Sequence, residues 1–555
     1  MSNTKDKKKE KRKMSYKNHK HGPKGRFPAK GERGRIELQK PTRPTDPFLE
    51  ELHAIRSDVG RRIDPMNAAR DTSIVMRAYD LPESFPKGVR AEAKRVSRLL
   101  SDSGDRLDLR DKFIFTCDPE SARDYDDALS LEADSKGRRV LGVHIADVSY
   151  FVRPGTELDK EDYKRSTSVY LVDRVVPMLP EELSNGVCSL VPGEDRLAFS
   201  VFLTFDAKGR CVESRFAKSI IRSKARFTYE QVMSMLLGAK MRGLRGNRTV
   251  VEIAHLAQQM RSARFAAGAL DMDVPETQVL LDSSGEMTGL TVRVNDESHQ
   301  MVEECMVAAN EAVAKELWTR GTKILARLHE PPAQDKLEEL RARLGALGVS
   351  CGDLSHGRNL ANFLKKIKGH PLEGTISVMV LRSMKRALYS SEMIGHYGLA
   401  KKYYAHFTSP IRRYPDLVLH RQLSAYLAGK GGRLDKKYLA AAAEHTSQRE
   451  QLADDAERTL TEIKKLRYLD GCPDTFEAVI GKCTKFGVFV DLPVLAQGGM
   501  VHISKLSDRY VRYDESQDCL TDGVKTWKTG DRLEVRVETV DYKQRWVDFA
   551  PVRHR

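Results

Sequence analysis

Four aspartates crowd the stretch Asp118-Pro119-Glu120-Ser121-Ala122-Arg123-Asp124-Tyr125-Asp126-Asp127. It lies between two apolar runs, Phe113-Ile114-Phe115 and Ala128-Leu129-Ser130-Leu131, which read as strands that carry the acids into the interior. Burying several like charges together is costly unless cations neutralise them. Hard oxygen ligands of this kind suit Mg2+ or Mn2+, which keep waters and accept phosphate oxygens as their remaining ligands. The chemistry suggested is that of phosphate groups. A calcium EF-hand loop starting at Asp124 fails, because Ala128, Leu129 and Ser135 stand where an acid or amide, a glycine and a glutamate are required. A solvated acidic loop has the same composition, but the apolar flanks argue against it. The uneven spacing fits neither a strand face nor a helix face, so only a loop bent round a metal brings all four carboxylates together.

The elements that must position this loop can be read from periodicity. Val140–Val148 and Ala198–Phe205 are buried-strand candidates, and residues 106 to about 235 read as α/β or mainly β. Helical patterns follow at Val302–Leu317, Asp335–Leu347, Thr375–Leu388, Tyr414–Ala428 and Lys437–Leu469. With no convincing linker inside it, 106–470 is expected to be one large α/β (α+β) domain. Ahead of it, residues 46–105 predict a helical lead-in with a turn at Leu81–Pro86. After Gly471, five short apolar runs within 474–555 predict an all-β OB barrel.

The net charge of +16 is uneven, since the first 44 residues hold 16 Lys/Arg against 4 Asp/Glu. Residues 1–45 therefore predict a disordered basic arm that touches polyanions, or a solubilising tail of the same composition. No apolar stretch is long enough to span a bilayer, and the Lys-rich start lacks the apolar segment of a secretory signal, so a cytoplasmic protein is expected. Eight scattered cysteines without a CxxC pair indicate neither zinc nor disulfides.

With these elements in place, the acidic stretch resembles the signature of the RNB family, the ribonuclease II and ribonuclease R type of exoribonucleases. Further motifs stand in family order: His144-Ile-Ala-Asp-Val-Ser, Thr167-Ser-Val-Tyr170, the Val176–Leu190 run, Val302-Glu-Glu-Cys-Met-Val-Ala-Ala-Asn310, and His406-Phe-Thr-Ser-Pro-Ile-Arg-Arg-Tyr-Pro-Asp416. The resemblance implies an RNB catalytic domain and processive 3'-to-5' hydrolysis of single-stranded RNA to nucleoside 5'-monophosphates, by a two-metal mechanism with Mg2+, or Mn2+ in its place. It implies Asp118, Asp124 and Asp127 as metal ligands, and sets Asp126 apart as the aspartate closest to the catalytic step. Arg412 matches the active-site arginine, whose forked donors suit a phosphate oxygen. Either Arg412 or Arg413 has a rival role as the partner of an acid such as Asp416.

By the same resemblance Tyr170 stacks on the terminal base. Met272 occupies the place of the family's second ring, a departure, because methionine offers no ring face. Tyr229 and Glu304, the latter rather than Glu303, match residues that contact the ribose 2'-hydroxyl. His144, His406 and His420 are expected to be structural.

The C-terminal segment resembles an S1-type RNA-binding OB domain, with Lys485 following phosphates and Phe486, Phe489 and His502 stacking on bases. Strand alternation points Phe489 and His502 outward, and Phe486 inward unless Gly487 marks a bulge. The roughly 100 residues ahead of the motifs hold no barrel-like strand series, where family members commonly carry cold-shock domains. A monomer acting on RNA 3' ends, without a membrane, is the expectation. Two other readings are a catalytically silent RNA-binding protein that keeps the fold and a deoxyribonuclease using the same metals.

Overall fold

The computed structural model describes residues 46–99, 104–239, 247–272, 276–515 and 517–552. The basic arm predicted for residues 1–45 lies outside the described residues. Helices Pro47–Arg62, Asp71–Ala78 and Lys87–Val96 form the lead-in, and residues 46–99 contain no strand. The first two bury Leu52, Val59 and Val75, with Tyr79 just after them, against Leu452, Ala456, Leu460 and Ile463 of the long helix Lys436–Leu469, and the third packs Val89, Ala93 and Val96 with Phe151 and Leu158. The buried Asp71 carboxylate fixes the register of that contact, 2.9 Å from Lys464 Nζ and 2.7 Å from an Arg467 guanidinium nitrogen.

A seven-stranded sheet follows. Its spatial order is Leu107–Asp108, Cys211–Arg222, Asp195–Phe205, Arg139–Ala146, Asp127–Ala133, Phe115–Asp118, Ala225–Thr228. The pairings are antiparallel except at the two edges, where Leu107–Asp108 and Ala225–Thr228 run parallel to their neighbours. Both faces are covered, which is why the central strands read as continuous apolar runs rather than as alternation. One face packs Leu141, Val143, Phe199 and Val201 against helices Tyr229–Leu236, Asn247–Ala266 and Glu297–Thr319. The other is covered by the Met178–Leu190 region and by helix Tyr414–Leu427.

The Thr375–Leu388 expectation is corrected: the helix runs Glu373–Ser383 and the chain then turns extended at Met384. Leu388–Ser390 instead pairs antiparallel with Ala326–Leu328, Leu328 lying opposite Leu388. That long-range pairing overrides a helical pattern that is only locally favourable.

At the C-terminus Thr475–Thr484, Gly487–Leu492, Gln497–His502, Trp546–Pro551 and Arg532–Asp541 close into a five-stranded barrel. A small three-stranded sheet, residues 512–528, is inserted between its third and fourth strands in chain order. Among the described residues, no helix is long and apolar enough to cross a membrane. All eight cysteines are free thiols.

Candidate active site

Asp118 ends one strand and Asp127 begins the next, and these two strands pair antiparallel with Phe115 opposite Leu129. Their aspartate-bearing ends therefore lie side by side, with residues 119–126 looped between them. The loop is fastened from the Val176–Leu190 run: Tyr125 N–H donates to Ser189 Oγ (3.0 Å), Ser189 Oγ–H donates to the Arg123 carbonyl (2.8 Å), and Leu190 N–H donates to the Tyr125 carbonyl (3.0 Å). On its far side Ala146 N–H donates to the Asp126 carbonyl (2.9 Å).

Asp126 is 5 % exposed. One carboxylate oxygen accepts the Ile411 N–H at 2.9 Å, and the other lies 3.8 Å from Arg412 Nε. This contact joins the acidic loop to the Ser409–Tyr414 turn, 285 residues away in sequence. The same turn holds Tyr170's strand, because Ser168 N–H donates to the Arg412 carbonyl (3.0 Å) and Tyr414 N–H to the Ser166 carbonyl (2.9 Å). Tyr170 is 40 % exposed, and its hydroxyl lies within electrostatic reach of Arg412, Asp124 and Asp126. The segment leading into the turn is braced by Asn310 Oδ1, which accepts the Phe407 N–H at 2.8 Å.

Burial pushes all four carboxyls above the ordinary range near 4. Asp118 rises to about 7, chiefly from burial with Asp126 and Asp124 adding repulsion, and Asp127 to about 8, from burial and then Asp118. Asp124 and Asp126 rise for the same first reason, with Arg412 pulling each back. Asp118 Oδ2 is buried and has no hydrogen-bond partner. Among the described residues no group of three or more His, Cys, Asp or Glu forms a ready metal cage. Excess buried negative charge with an orphaned oxygen, but without a closed ligand set, fits a Mg2+-type ion that completes its shell with water and substrate oxygens.

The two neighbouring arginines divide cleanly. Arg413 is largely buried, its side chain 16 % exposed, and donates to Asp416 Oδ1 at 2.8 Å, whereas Arg412 has a side chain 41 % exposed and donates to Ser409 Oγ at 3.0 Å. The acid-pairing role belongs to Arg413. The three histidines are occupied as structural groups: His144 bridges Ser130 and Ser200, His406 bonds Tyr389, and His420 bonds the Phe407 carbonyl.

Other candidates stand differently from the simplest expectation. Glu304 is 2 % exposed and both its oxygens are engaged by Arg264, a pairing that also includes a very short contact to Arg264 Nη2. The half-exposed carboxylate of the pair is Glu303. Met272 is half-buried and packs against the cluster built from helices Gln334–Ala346, Gly357–Ile367 and Glu373–Ser383. Tyr229, the first residue of its helix, follows Thr228, which pairs with Asp118.

On the barrel, Phe489 faces out between the buried Val488 and Val490 and meets Trp546 edge-on, ring centroids 5.7 Å apart. His502 is exposed. Phe486 is 55 % exposed, contrary to the alternation count. Lys485 and Phe486 are the tip of a hairpin whose last pair is Thr484 and Gly487, so strand alternation does not reach them. Lys485 Nζ lies 5.1 Å from the Phe486 ring centroid.

Sequence reasoning missed His299, which lies flat on Tyr229, and the Arg261/Arg264 pair that holds the Glu303-Glu304 dyad. The Asp296-to-His299 spacing at a helix start was the available signal for the first.

Comparison with known proteins matches the RNB domain to residues 106–429 and the S1 RNA binding domain to residues 473–550. Ribonuclease R of Thermotoga maritima is 41 % identical over 500 residues, covering 87 % of this chain and 70 % of the relative. Ribonuclease R of Aquifex aeolicus is 38 % identical over 489 residues, covering 86 % and 69 %. The structure of Mycoplasma genitalium RNase R in complex with ribose methylated single-stranded RNA superposes with a TM-score of 0.81 at 27 % identity, covering 88 % of this chain and 78 % of that one.

Proposed function

This chain belongs to the RNB family and is a hydrolytic, metal-dependent 3'-to-5' exoribonuclease, and we propose that it shortens single-stranded RNA processively to nucleoside 5'-monophosphates. The observation that carries the reading is the Ile411-to-Asp126 bond, which sets an exposed guanidinium, Arg412, beside a buried carboxylate cluster with an orphaned oxygen. A catalytically silent protein has no need to keep that costly arrangement.

Asp118, Asp124, Asp126 and Asp127 would hold Mg2+, two ions in our reading, with Mn2+ able to substitute. When bound, the metal supplies an activated water and charge stabilisation at the phosphoryl oxygens. The chain's own groups do the rest. Arg412 directs its free donors at the non-bridging oxygens whose charge grows in the transition state. Tyr170 supplies a ring face for the terminal base, a sequence-tolerant contact worth about 1–3 kcal/mol. Met272 bounds the base from the other side, and Tyr229 with the Glu303-Glu304 dyad faces the ribose. Lys485, Phe486, Phe489 and His502 on the barrel bind the strand upstream. We take the protein to act as a monomer in the cytoplasm.

The test incubates the purified protein with end-labelled single-stranded RNA or DNA, with Mg2+ or EDTA. Mononucleotide release from RNA alone, and only with Mg2+, is expected. Binding without cleavage would identify the silent alternative, and equal attack on DNA the deoxyribonuclease.

The raised carboxyls give a second test that needs no turnover. Above the ordinary carboxylate range the folded metal-free chain holds protons on the Asp118–Asp127 pair that the unfolded chain has released, one leaving near pH 7 and the other near pH 8. Their contribution to stability is therefore present at low pH and lost as pH rises through about 7 to 8. A cation replaces those protons. The gain in Tm from Mg2+ over EDTA should be small at pH 6 and larger at pH 8.5, by about 2 °C or more. The gain should vanish when Asp118→Asn and Asp127→Asn are combined. A shift independent of pH and of both residues would remove the metal from this site.

A further inference from the structure

We propose that His299 is a substrate-binding residue whose Nε2 contacts a ribose 2'-hydroxyl near the 3' end, making it a determinant of RNA over DNA. The inference rests on the exoribonuclease reading and on Tyr229 facing the ribose. His299 lies in the first turn of helix Glu297–Thr319, whose N-cap is Asp296. The Asp296 carboxylate, which only accepts, lies 2.8 Å from His299 Nδ1. Nδ1 therefore carries the proton, and Nε2 is the ring nitrogen left for another partner.

The ring is held flat on Tyr229, with centroids 3.8 Å apart and planes 14° from parallel. Tyr229 directly follows Thr228, the residue paired with Asp118, so the stack is carried on the residue next to the strand partner of the acidic cluster. The His299 side chain is 22 % exposed and is not sealed in the core. Glu303, one turn further along the helix and on the same face, is 39 % exposed. Imidazole and carboxylate thus share one helix face, with the Tyr229 ring stacked on the imidazole.

A hydroxyl suits Nε2 in either protonation state, donating to it when the ring is neutral and accepting from it when the ring is charged. A site built to bond a hydroxyl discriminates strongly against its absence, because its polar atom is then left unpaired. DNA lacks that partner at every nucleotide.

The experiment uses the full chain with Mg2+ and RNA oligonucleotides carrying one 2'-deoxy substitution, walked through the 3'-terminal nucleotides. With wild type, one position should lower kcat/KM about tenfold against the all-ribose strand. His299→Phe keeps a flat ring on Tyr229 and removes Nε2. It should lower kcat/KM for all-ribose RNA about tenfold, mainly through KM, and abolish the penalty at that one position. His299→Gln restores a polar side chain without the ring and should recover part of the penalty. If His299→Phe keeps the penalty in full, or slows every substrate by the same factor, the inference is overturned. A wild-type chain that fails to shorten all-ribose RNA overturns the exoribonuclease reading, and this inference with it.

Discussion

Asp126→Asn is expected to lower mononucleotide release by about 10^3-fold or more while leaving RNA affinity within a few-fold of wild type. The substitution keeps the side chain's size and retains an oxygen for the Ile411 N–H, so the junction between the acidic loop and the Ser409–Tyr414 turn should survive. What it removes is charge, at a residue only 5 % exposed whose carboxyl is driven well above its usual range, first by burial. Neutralising a buried carboxylate relieves that desolvation cost, so the metal-free variant should melt no lower than wild type. In the proposed reading the strand's affinity comes from stacking and phosphate contacts elsewhere, on Tyr170 and the barrel. Affinity and turnover are therefore expected to separate, measured by fluorescence anisotropy on a labelled oligonucleotide beside a product assay. Retained turnover would remove Asp126 from the catalytic step.

The second large effect lies in the contrast between adjacent arginines. Arg412→Ala should lower kcat about 10^2- to 10^3-fold, the usual consequence of losing one donor to a charge that develops in the transition state. Its side chain is 41 % exposed, so the melting temperature should hardly move. Arg413→Ala should do the opposite. Asp416 is fully buried, receives Arg413 at 2.8 Å, and also accepts the Ser409 N–H at 2.8 Å. Without Arg413 that charge is left buried and uncompensated, a loss of about 3–5 kcal/mol. Any loss of activity in that variant should follow its loss of folded protein in thermal melts. If Arg413→Ala melts normally but is inactive while Arg412→Ala turns over, the two roles have been exchanged.

A large part of this protein is legible without coordinates. The quartet at Asp118, Asp124, Asp126 and Asp127 suggests a cation site, because like charges between apolar runs are costly unless something neutralises them. The ordered motifs identify the family, and the long helices fall within a few residues of their periodic patterns, as for Lys436–Leu469. Five short runs after Gly471 close into a barrel. These features are local, or repeat over a window long enough to dominate alternatives.

The tertiary structure decided the pairings. Arg413, not Arg412, meets Asp416; Arg264 takes both oxygens of Glu304; His299 lies on Tyr229; and Phe486 projects from a hairpin tip. Type and spacing could not choose between Arg412 and Arg413, or between Glu303 and Glu304, because neighbours in sequence share composition and differ only in the direction they face. That direction is set by elements far away in the chain, as when Ile411 reaches Asp126 across 285 residues. The sequence alone determined which charges this site must contain. Packing, which must satisfy every buried polar group at once, determined which of them remain free to meet a substrate.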